Sequence, residues 1–259
     1  MAPKTSDTGN PSYKAPAISK AFQILAEVAG SPHSIGIVEL SERLGFSKST
    51  THGIVHALIR EGALTHEKGS RKVHLDSLLA ELVFSNFYPL KVFKQVQVII
   101  DDIRNQINET VFFGVRIRDR VMINAISEVP DSMKISASVG TTLPLLAGAI
   151  GKAFLAVETI GRVRQIVEKN GLTRWTKNSI IDRKTYLEEL EKVKCLGYAV
   201  DLEEYIPGIN AVAVTVGNLR GLPAAIWVVG MSNNLDKEKI KKIATVLKDN
   251  VQAFWEQFD

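Results

Sequence analysis

Residues 37–56 read IVELSERLGFSKSTTHGIVH, a pattern that predicts two short helices joined by a tight turn. Gly45 stands where the first helix ends, because helices often end in a left-handed residue and glycine adopts that conformation at little cost. Ser47 is placed to cap the second helix by accepting a hydrogen bond from a free backbone N–H. The predicted apolar face of the first helix consists of Val38, Leu40 and Leu44.

The second helix, predicted to run to about Glu61, has two faces of opposite character. Its apolar stripe consists of Ile54, Val55, Leu58 and Ile59. Its polar side carries Lys48, Ser49, Thr50, His52 and His56. The major groove of DNA requires cationic groups and short donors, because they neutralise phosphates and reach base edges. The segment therefore predicts a helix-turn-helix that binds double-stranded DNA.

A hairpin pattern follows this helix directly. Residues 63–75 alternate apolar and polar side chains around a Glu-Lys-Gly-Ser turn at 67–70, and Lys68, Arg71 and Lys72 lie at the tip. A hairpin in this place makes a winged helix, in which Arg71 and Lys72 contact the sugar-phosphate backbone. The alternative is an ordinary helical hairpin with solvated charges, because helix-turn-helix patterns also arise by chance.

The charge of the chain is distributed unevenly. Residues 1–75 hold nine Lys or Arg against six Asp or Glu and all five histidines, whereas residues 76–259 hold 23 against 22. Positive charge is thus concentrated where DNA binding is predicted. The composition is 45% apolar, and no apolar run approaches the roughly 20 residues of a membrane helix. We expect a globular cytoplasmic protein with no membrane span and no signal peptide.

A length of 259 residues suits two domains. We predict a disordered tail over 1–16, a winged helix-turn-helix domain over 17–76, a linker helix over 77–90 and a larger domain over 91–259. The first helix is expected over 18–29, and its apolar face consists of Ile18, Phe22, Leu25 and Ala26. The leucine-rich stripe of the linker packs either on another subunit or on its own domain.

The larger domain mixes helices and strands. Helices are predicted over 90–108, 147–157, 162–169, 184–196 and 237–258. Strands are predicted over 110–115, 121–127, 134–139, 198–202, 209–216 and 222–229. Tight turns at 118–120 and 217–221 imply antiparallel pairing. The predicted fold class is therefore α+β, with helices packed on an antiparallel sheet.

Residues 76–259 contain no histidine and only one cysteine, Cys195, which we expect to be buried. This composition excludes histidine-based catalysis and His/Cys zinc sites in that part of the chain. The alternative is an enzyme with a carboxylate-only site at Asp201, Glu203 and Glu204, although the two glutamates fit a solvated loop edge better. We expect no enzymatic activity, no metal and no cofactor.

Taken in this order, the chain resembles the IclR family of bacterial transcriptional regulators. Three segments carry the resemblance: LGFSKSTTH at 44–52 with LIREG at 58–62, GTTLPLLAGAIGKAFLA at 140–156, and GYAVDLEEYIPGI at 197–209. The resemblance implies that 91–259 is a GAF-like domain that binds a small organic acid, and that homodimers or homotetramers bind palindromic operators. The family commonly has His where this chain has Leu146 and Arg where it has Gly53. The first departure changes the polarity of the pocket, and the second removes a DNA contact.

The resemblance also places the effector pocket. Its residues here are Leu143, Leu146, Gly148, Ala149, Ile150, Asp201, Ile209, Ala211, Trp227 and Val229. The small residues at 148–151 begin a helix, whose uncovered N–H groups and positive dipole end favour a carboxylate. Close packing of this helix against the sheet also requires small residues.

The identity of two pocket residues predicts the type of effector. By the same resemblance, Trp227 and Val229 stand where relatives that take small polar acids carry hydroxyls. We therefore expect the effector to be an aromatic or otherwise largely apolar acid, and the target to be a catabolic operon. The alternative is that Trp227 fills the pocket and that no ligand binds.

Overall fold

The computed structural model describes residues 15–86, 89–130, 134–219 and 221–256. The chain divides into two compact units, Met1–Tyr88 and Pro89–Asp259. The predicted disordered tail lies outside the described residues except at its last two positions. Pro16 already begins a helix, since proline is well suited to the first helical turn.

The first unit combines helices with a small sheet. Its elements are α1 (Pro16–Gly30), β1 (Ile35–Gly36), α2 (Ile37–Leu44), α3 (Lys48–Arg60), β2 (Leu64–His66), β3 (Lys72–Leu75) and α4 (Ser77–Asn86). The three strands pair antiparallel in the order β1-β3-β2. The predicted helix-turn-helix and hairpin are therefore confirmed as structural elements, and β1 is an additional strand.

The turn between α2 and α3 has the predicted chemistry. Gly45 ends α2 in the left-handed region with φ 65°. The hydroxyl of Ser47 accepts a hydrogen bond from the Thr50 N–H at 3.2 Å. These two residues fix where α2 stops and where α3 starts.

Two predicted apolar faces in this unit were partly wrong. Ile18 and Phe22 are exposed, because α1 contacts the core through its second half, at Ile24 and Val28. Val38 is exposed as well, whereas Leu40 is fully buried. The core is completed by buried side chains from β1, α3, β2 and β3: Ile35, Val55, Leu64 and Val73.

The second unit is a sheet with helices on both faces. Its helices are α5 (Pro89–Ile107), α6 (Gly148–Ala156), α7 (Ile160–Asn170), α8 (Arg183–Leu196) and α9 (Lys237–Glu256). Its strands are β4 (Thr110–Ile117), β5 (Arg120–Ser127), β6 (Thr142–Pro144), β7 (Ala199–Leu202), β8 (Ile209–Leu219) and β9 (Leu222–Met231). They form one antiparallel sheet in the order β6-β5-β4-β9-β8-β7. The α+β class is confirmed.

Alternation along the strands divides the second unit into two cores. α5 and α9 cover one face of the sheet, and α6, α7 and α8 cover the other. On β9, for example, Val228 faces the first core and Trp227 faces the second. The second core borders the cavity described below.

Two sequence expectations for this unit were wrong. Residues 134–139 do not form a strand, because the edge of the sheet beside β5 pairs with β6 instead. Cys195 is exposed on α8 rather than buried. Within the described ranges, none of the helices combines the length and apolar character needed to cross a bilayer.

Candidate nucleic-acid interface and ligand cavity

The polar side of α3 is presented to solvent. Lys48, Ser49, His52 and His56 are exposed, and Thr50 is half-buried. The Thr50 hydroxyl accepts a hydrogen bond from the Ser47 hydroxyl at 2.8 Å, so Thr50 also belongs to the cap of the helix. Of the residues predicted to contact DNA, Lys48, Ser49, His52 and His56 therefore share one accessible surface, whereas Thr50 lies at the cap.

A cationic stripe runs along this surface. Lys48, His52, His56 and Arg60 are spaced four residues apart, which places them on one face of the helix. Arg60 is exposed and was missed by the sequence analysis, although the spacing of four residues could have identified it. The stripe presents two permanent positive charges and two imidazoles.

The wing is a short, well-formed hairpin. The Glu67 N–H donates to the Lys72 carbonyl at 3.0 Å, and the Lys72 N–H donates to the Ser70 hydroxyl at 2.9 Å. Arg71 and Lys72 are both exposed. The wing lies beside α3, because the ring centroids of His56 and His66 are 6.4 Å apart.

In the second unit, a cavity of about 140 Å³ lies between the sheet, the start of α6, residues 135–137 and the loop after β7. Nine of the ten predicted pocket residues line it: Leu143, Gly148, Ala149, Ile150, Asp201, Ile209, Ala211, Trp227 and Val229. Leu146 does not. It lies within a turn closed by the Ala147 N–H and the Pro144 carbonyl at 3.1 Å, and it packs against the core.

Part of the cavity wall was not predicted from the sequence. Phe112, Ile123, Ile135, Ser136, Tyr205 and Ile206 also line it. The strand pattern of β4 and β5 could have identified Phe112 and Ile123 as inward-facing. Residues 135 and 136 gave no such signal, because their alternating pattern predicted a strand.

An aromatic pair forms one side of the cavity. The rings of Phe112 and Trp227 stack with their centroids 5.3 Å apart and their planes 15° apart. Gly114 makes room for this arrangement, because a Cβ there would lie 3.0 Å from the Trp227 ring and 2.5 Å from the Met122 carbonyl. Trp227 is almost fully buried, yet it leaves the cavity open.

The polar end of the cavity lies at the start of α6. Ala147 occupies the N-cap position and has no side-chain oxygen, so the first N–H groups of α6 have no side-chain cap. The carboxyl of Asp201 lies beside Gly148. Burial raises the pKa of Asp201 to about 6, although a hydrogen bond from the Glu204 N–H at 2.5 Å acts in the opposite direction.

A buried ion cluster lies deeper along α6. The ammonium of Lys152 is 2.6 Å from Glu204 Oε1 and 3.8 Å from Glu189 Oε1, and the Lys152 side chain is 1% exposed. The prediction that Glu204 lies on a solvated loop edge is therefore wrong. Glu203 accepts a hydrogen bond from the Gly208 N–H at 2.8 Å. Both glutamates of the supposed carboxylate site are thus engaged in structural contacts.

Comparison with known proteins identifies both units. Residues 17–68 match the IclR helix-turn-helix domain, and residues 87–254 match the C-terminal domain of the bacterial transcriptional regulator IclR. The transcriptional regulator KdgR of Escherichia coli K12 is 28% identical over 208 residues, which cover 80% of this chain and 79% of KdgR. KdgR and the proteins described by the two family models are transcriptional regulators rather than enzymes.

Two solved structures show the same fold. An IclR transcriptional regulator from Alicyclobacillus acidocaldarius is 28% identical, with a TM-score of 0.76 over 93% of this chain and 98% of that one. The inducer-binding domain of a double mutant of PobR from Acinetobacter, in complex with 3-hydroxybenzoic acid, is 29% identical. Its TM-score is 0.57, and the match covers 62% of this chain and 95% of that one.

Proposed function

Because this chain belongs to the IclR family of bacterial transcriptional regulators, with a DNA-binding unit and an effector-binding unit, we propose that its effector is an aromatic or otherwise largely apolar carboxylic acid. We propose further that it acts in the cytoplasm as a homodimer or homotetramer on a palindromic operator and controls a catabolic operon. The observation that carries the effector assignment is the cavity beside Trp227.

The size and lining of this cavity favour a single ring. An apolar cavity of about 150 Å³ is large enough to hold one benzene molecule, and this cavity measures about 140 Å³. Its wall is mostly aliphatic and aromatic, so a two- or three-carbon acid would leave much of it without contacts. The complex of 3-hydroxybenzoic acid with a double mutant of the PobR inducer-binding domain, which is 29% identical to this chain, supports the same class of ligand.

The ends of the cavity set the orientation of the ligand. The carboxylate lies at the uncapped start of α6, near Gly148, Ala149 and Ile150, where helix N–H groups favour negative charge. The ring then packs against Trp227. Asp201 faces this carboxylate, so two negative charges would meet unless Asp201 carries a proton. We infer that the acid binds to the form in which Asp201 is neutral.

The proposed DNA contacts follow from the exposed surface of the first unit. Lys48, Ser49, Thr50, His52 and His56 contact the major groove, and Arg71 and Lys72 contact the phosphate backbone. Gly53 lies between the two histidines on the helix and adds no side chain to this surface.

Calorimetric titration of the full-length protein tests the effector class. We expect benzoate and 3-hydroxybenzoate to bind more tightly than pyruvate and glyoxylate. Tighter binding of the small acids would contradict the proposal, and heat from neither set would favour a regulator without a ligand.

A matched pair of variants tests the location. Ala137→Leu adds bulk to a half-buried wall residue and should abolish binding of benzoate. Ser138→Leu adds the same side chain at the exposed neighbouring position and should leave the affinity unchanged. Equal affinities in the two variants would place the ligand elsewhere.

A further inference from the structure

His52 and His56 form a close pair on the exposed side of α3. Their Nε2 atoms are 3.3 Å apart, and their ring centroids are 4.3 Å apart. The two residues are separated by one turn of helix, which places both rings on the same face. Both rings are exposed, so a solute can approach them from water.

This separation matches the geometry of a tetrahedral metal ion. Two nitrogens that each lie 2.0–2.1 Å from Zn²⁺ in tetrahedral geometry are about 3.3 Å from each other. In zinc sites on helices, two histidine ligands are also found at positions i and i+4. Without an ion, this distance also allows one ring to donate a hydrogen bond to the other. To bind an ion, each ring would turn so that its Nε2 lone pair points at the metal, and both rings would carry their proton on Nδ1.

We propose that His52 and His56 bind a divalent transition ion of the zinc class, and that this ion and DNA exclude each other at α3. The exclusion rests on the proposed DNA contacts, whereas the metal site does not. The other coordination positions are left to water, because the described residues contain no group of three His, Cys, Asp or Glu side chains arranged around an ion.

The ion and DNA should exclude each other because an imidazole that binds a metal can no longer donate a hydrogen bond from the same nitrogen. An Nε2 atom that binds a metal has no proton, so it cannot donate to a base edge or a phosphate. The hydrated ion also stands between the two rings and the groove that they would enter. Lys48 and Arg60 lie one turn away on either side of the pair and lower its affinity for a cation. Occupancy therefore depends on the concentration of the free ion.

Calorimetric titration with zinc chloride tests the site in the full-length, chelator-treated protein. The protein carries Cys195→Ser, because an exposed thiol is itself a zinc ligand. We expect one saturable site per chain. His52→Gln or His56→Gln should weaken zinc binding at least tenfold, since each leaves a single ligand.

Two other exposed histidines of the same unit serve as controls. His33→Gln and His74→Gln should change the affinity for zinc by less than twofold. The absence of a saturable site, or a zinc affinity in the His52→Gln and His56→Gln variants equal to that of the parent protein, would overturn the metal site. Because both rings are exposed, these substitutions leave the core intact.

Fluorescence anisotropy with DNA from the protein's own promoter region tests the exclusion. Saturating zinc should raise the Kd for DNA at least tenfold, and a chelator should reverse the effect. The His52→Gln variant should show no response to zinc, whatever its own affinity for DNA. Unchanged or tighter DNA binding in zinc would overturn the exclusion. If the protein binds no DNA without zinc, the proposed function fails, and the calorimetric titration still decides the metal site.

Discussion

The Oδ2 atom of Asp201 lies 2.6 Å from the point that a Cβ on Gly148 would occupy. This distance is shorter than any normal contact between such atoms, so residue 148 must lack a side chain for Asp201 to reach the start of α6. Gly148 also has φ 61°, which disfavours every residue with a Cβ. The two residues together determine the polar end of the cavity.

Gly148→Ala should therefore destabilise the second unit and weaken effector binding. The backbone strain and the displaced carboxyl together predict a loss of about 1–3 kcal/mol in the free energy of unfolding. Urea denaturation measures this change. Gly161→Ala is the control, because Gly161 lies in α7 with open space around its Cβ position. That variant should be neutral or slightly more stable, and an equal loss in both would contradict the argument.

Asp201→Asn should stabilise the protein at neutral pH. Burial raises the pKa of Asp201 to about 6 in the folded state, against about 3.9 in the unfolded chain. Between about pH 4 and 6, the folded state therefore binds more protons than the unfolded state. The free energy of unfolding of the wild type consequently falls, relative to that of the variant, as the pH rises through this range. The difference reaches at most about 3 kcal/mol above pH 7.

Urea denaturation at pH 3, 4.5, 5.5 and 7.5 measures this difference, and Asp182→Asn provides a contrast of opposite sign. The Thr185 backbone N–H lowers the pKa of Asp182, which caps α8. Asp182→Asn should therefore destabilise the protein at neutral pH, and the effect should disappear as the pH falls below about 4. A pH-independent effect of Asp201→Asn would show that the pKa of Asp201 is the same in the folded and unfolded states, and hence that burial does not raise it.

The affinity for a carboxylate ligand should depend on the same proton. If the acid binds with Asp201 neutral, the Kd for benzoate should rise about tenfold per pH unit above the pKa of Asp201, which is about 6. Calorimetry between pH 6.5 and 8 checks the slope. Asp201→Asn should remove the slope, and a flat wild-type profile would mean that no proton accompanies the ligand.

Removal of Lys152 should be costly because it leaves two carboxylates without a buried cation. Lys152→Met is expected to lower the free energy of unfolding by about 3–5 kcal/mol, with partial recovery when Glu204→Gln is added. Lys192→Met is the control, because Lys192 pairs with the same Glu189 at 3.3 Å on the exposed surface of α8. Its cost should be below about 1 kcal/mol. If denaturant titrations gave similar losses of unfolding free energy for Lys152→Met and Lys192→Met, the buried ion cluster would not be important for stability.

Phosphate contacts from α3 and the wing should appear in the salt dependence of DNA binding. Lys48→Gln and Arg71→Gln should each weaken binding and reduce the slope of log Kd against log salt by about one. Anisotropy titrations at several salt concentrations measure the slope. Lys184→Gln, at an exposed position of the second unit, should leave it unchanged. A protein with no preference for its own promoter over random DNA would contradict specific binding altogether.

Local signals made the first unit predictable. The helix end, the helix cap and the hairpin depend on the backbone conformation of Gly45, Ser47 and the turn at 67–70. Each could therefore be predicted from a few residues that are adjacent in the sequence. Val38 shows where this approach ends. It has the same apolar character as Leu40, and only the packing of α2 against α1 and α3 leaves it exposed.

In the second unit, the errors came from long-range pairing. Residues 134–139 alternate like a strand, but the edge position beside β5 is taken by Thr142–Pro144. The position of Leu146 depends on a turn that its own sequence does not specify. The cluster around Lys152 joins residues about 50 positions apart, and a carboxylate at 204 carries no local sign of its partner.

Cys195 has a practical consequence for assembly. It is the single thiol of the chain and is exposed on α8, so one spin label per subunit can be attached without altering any other residue. A symmetric pair of subunits would then give one label-to-label distance, whereas an assembly with two kinds of contact would give more than one. A spin label at Cys195 can therefore report how the subunits are arranged in the presence and in the absence of operator DNA.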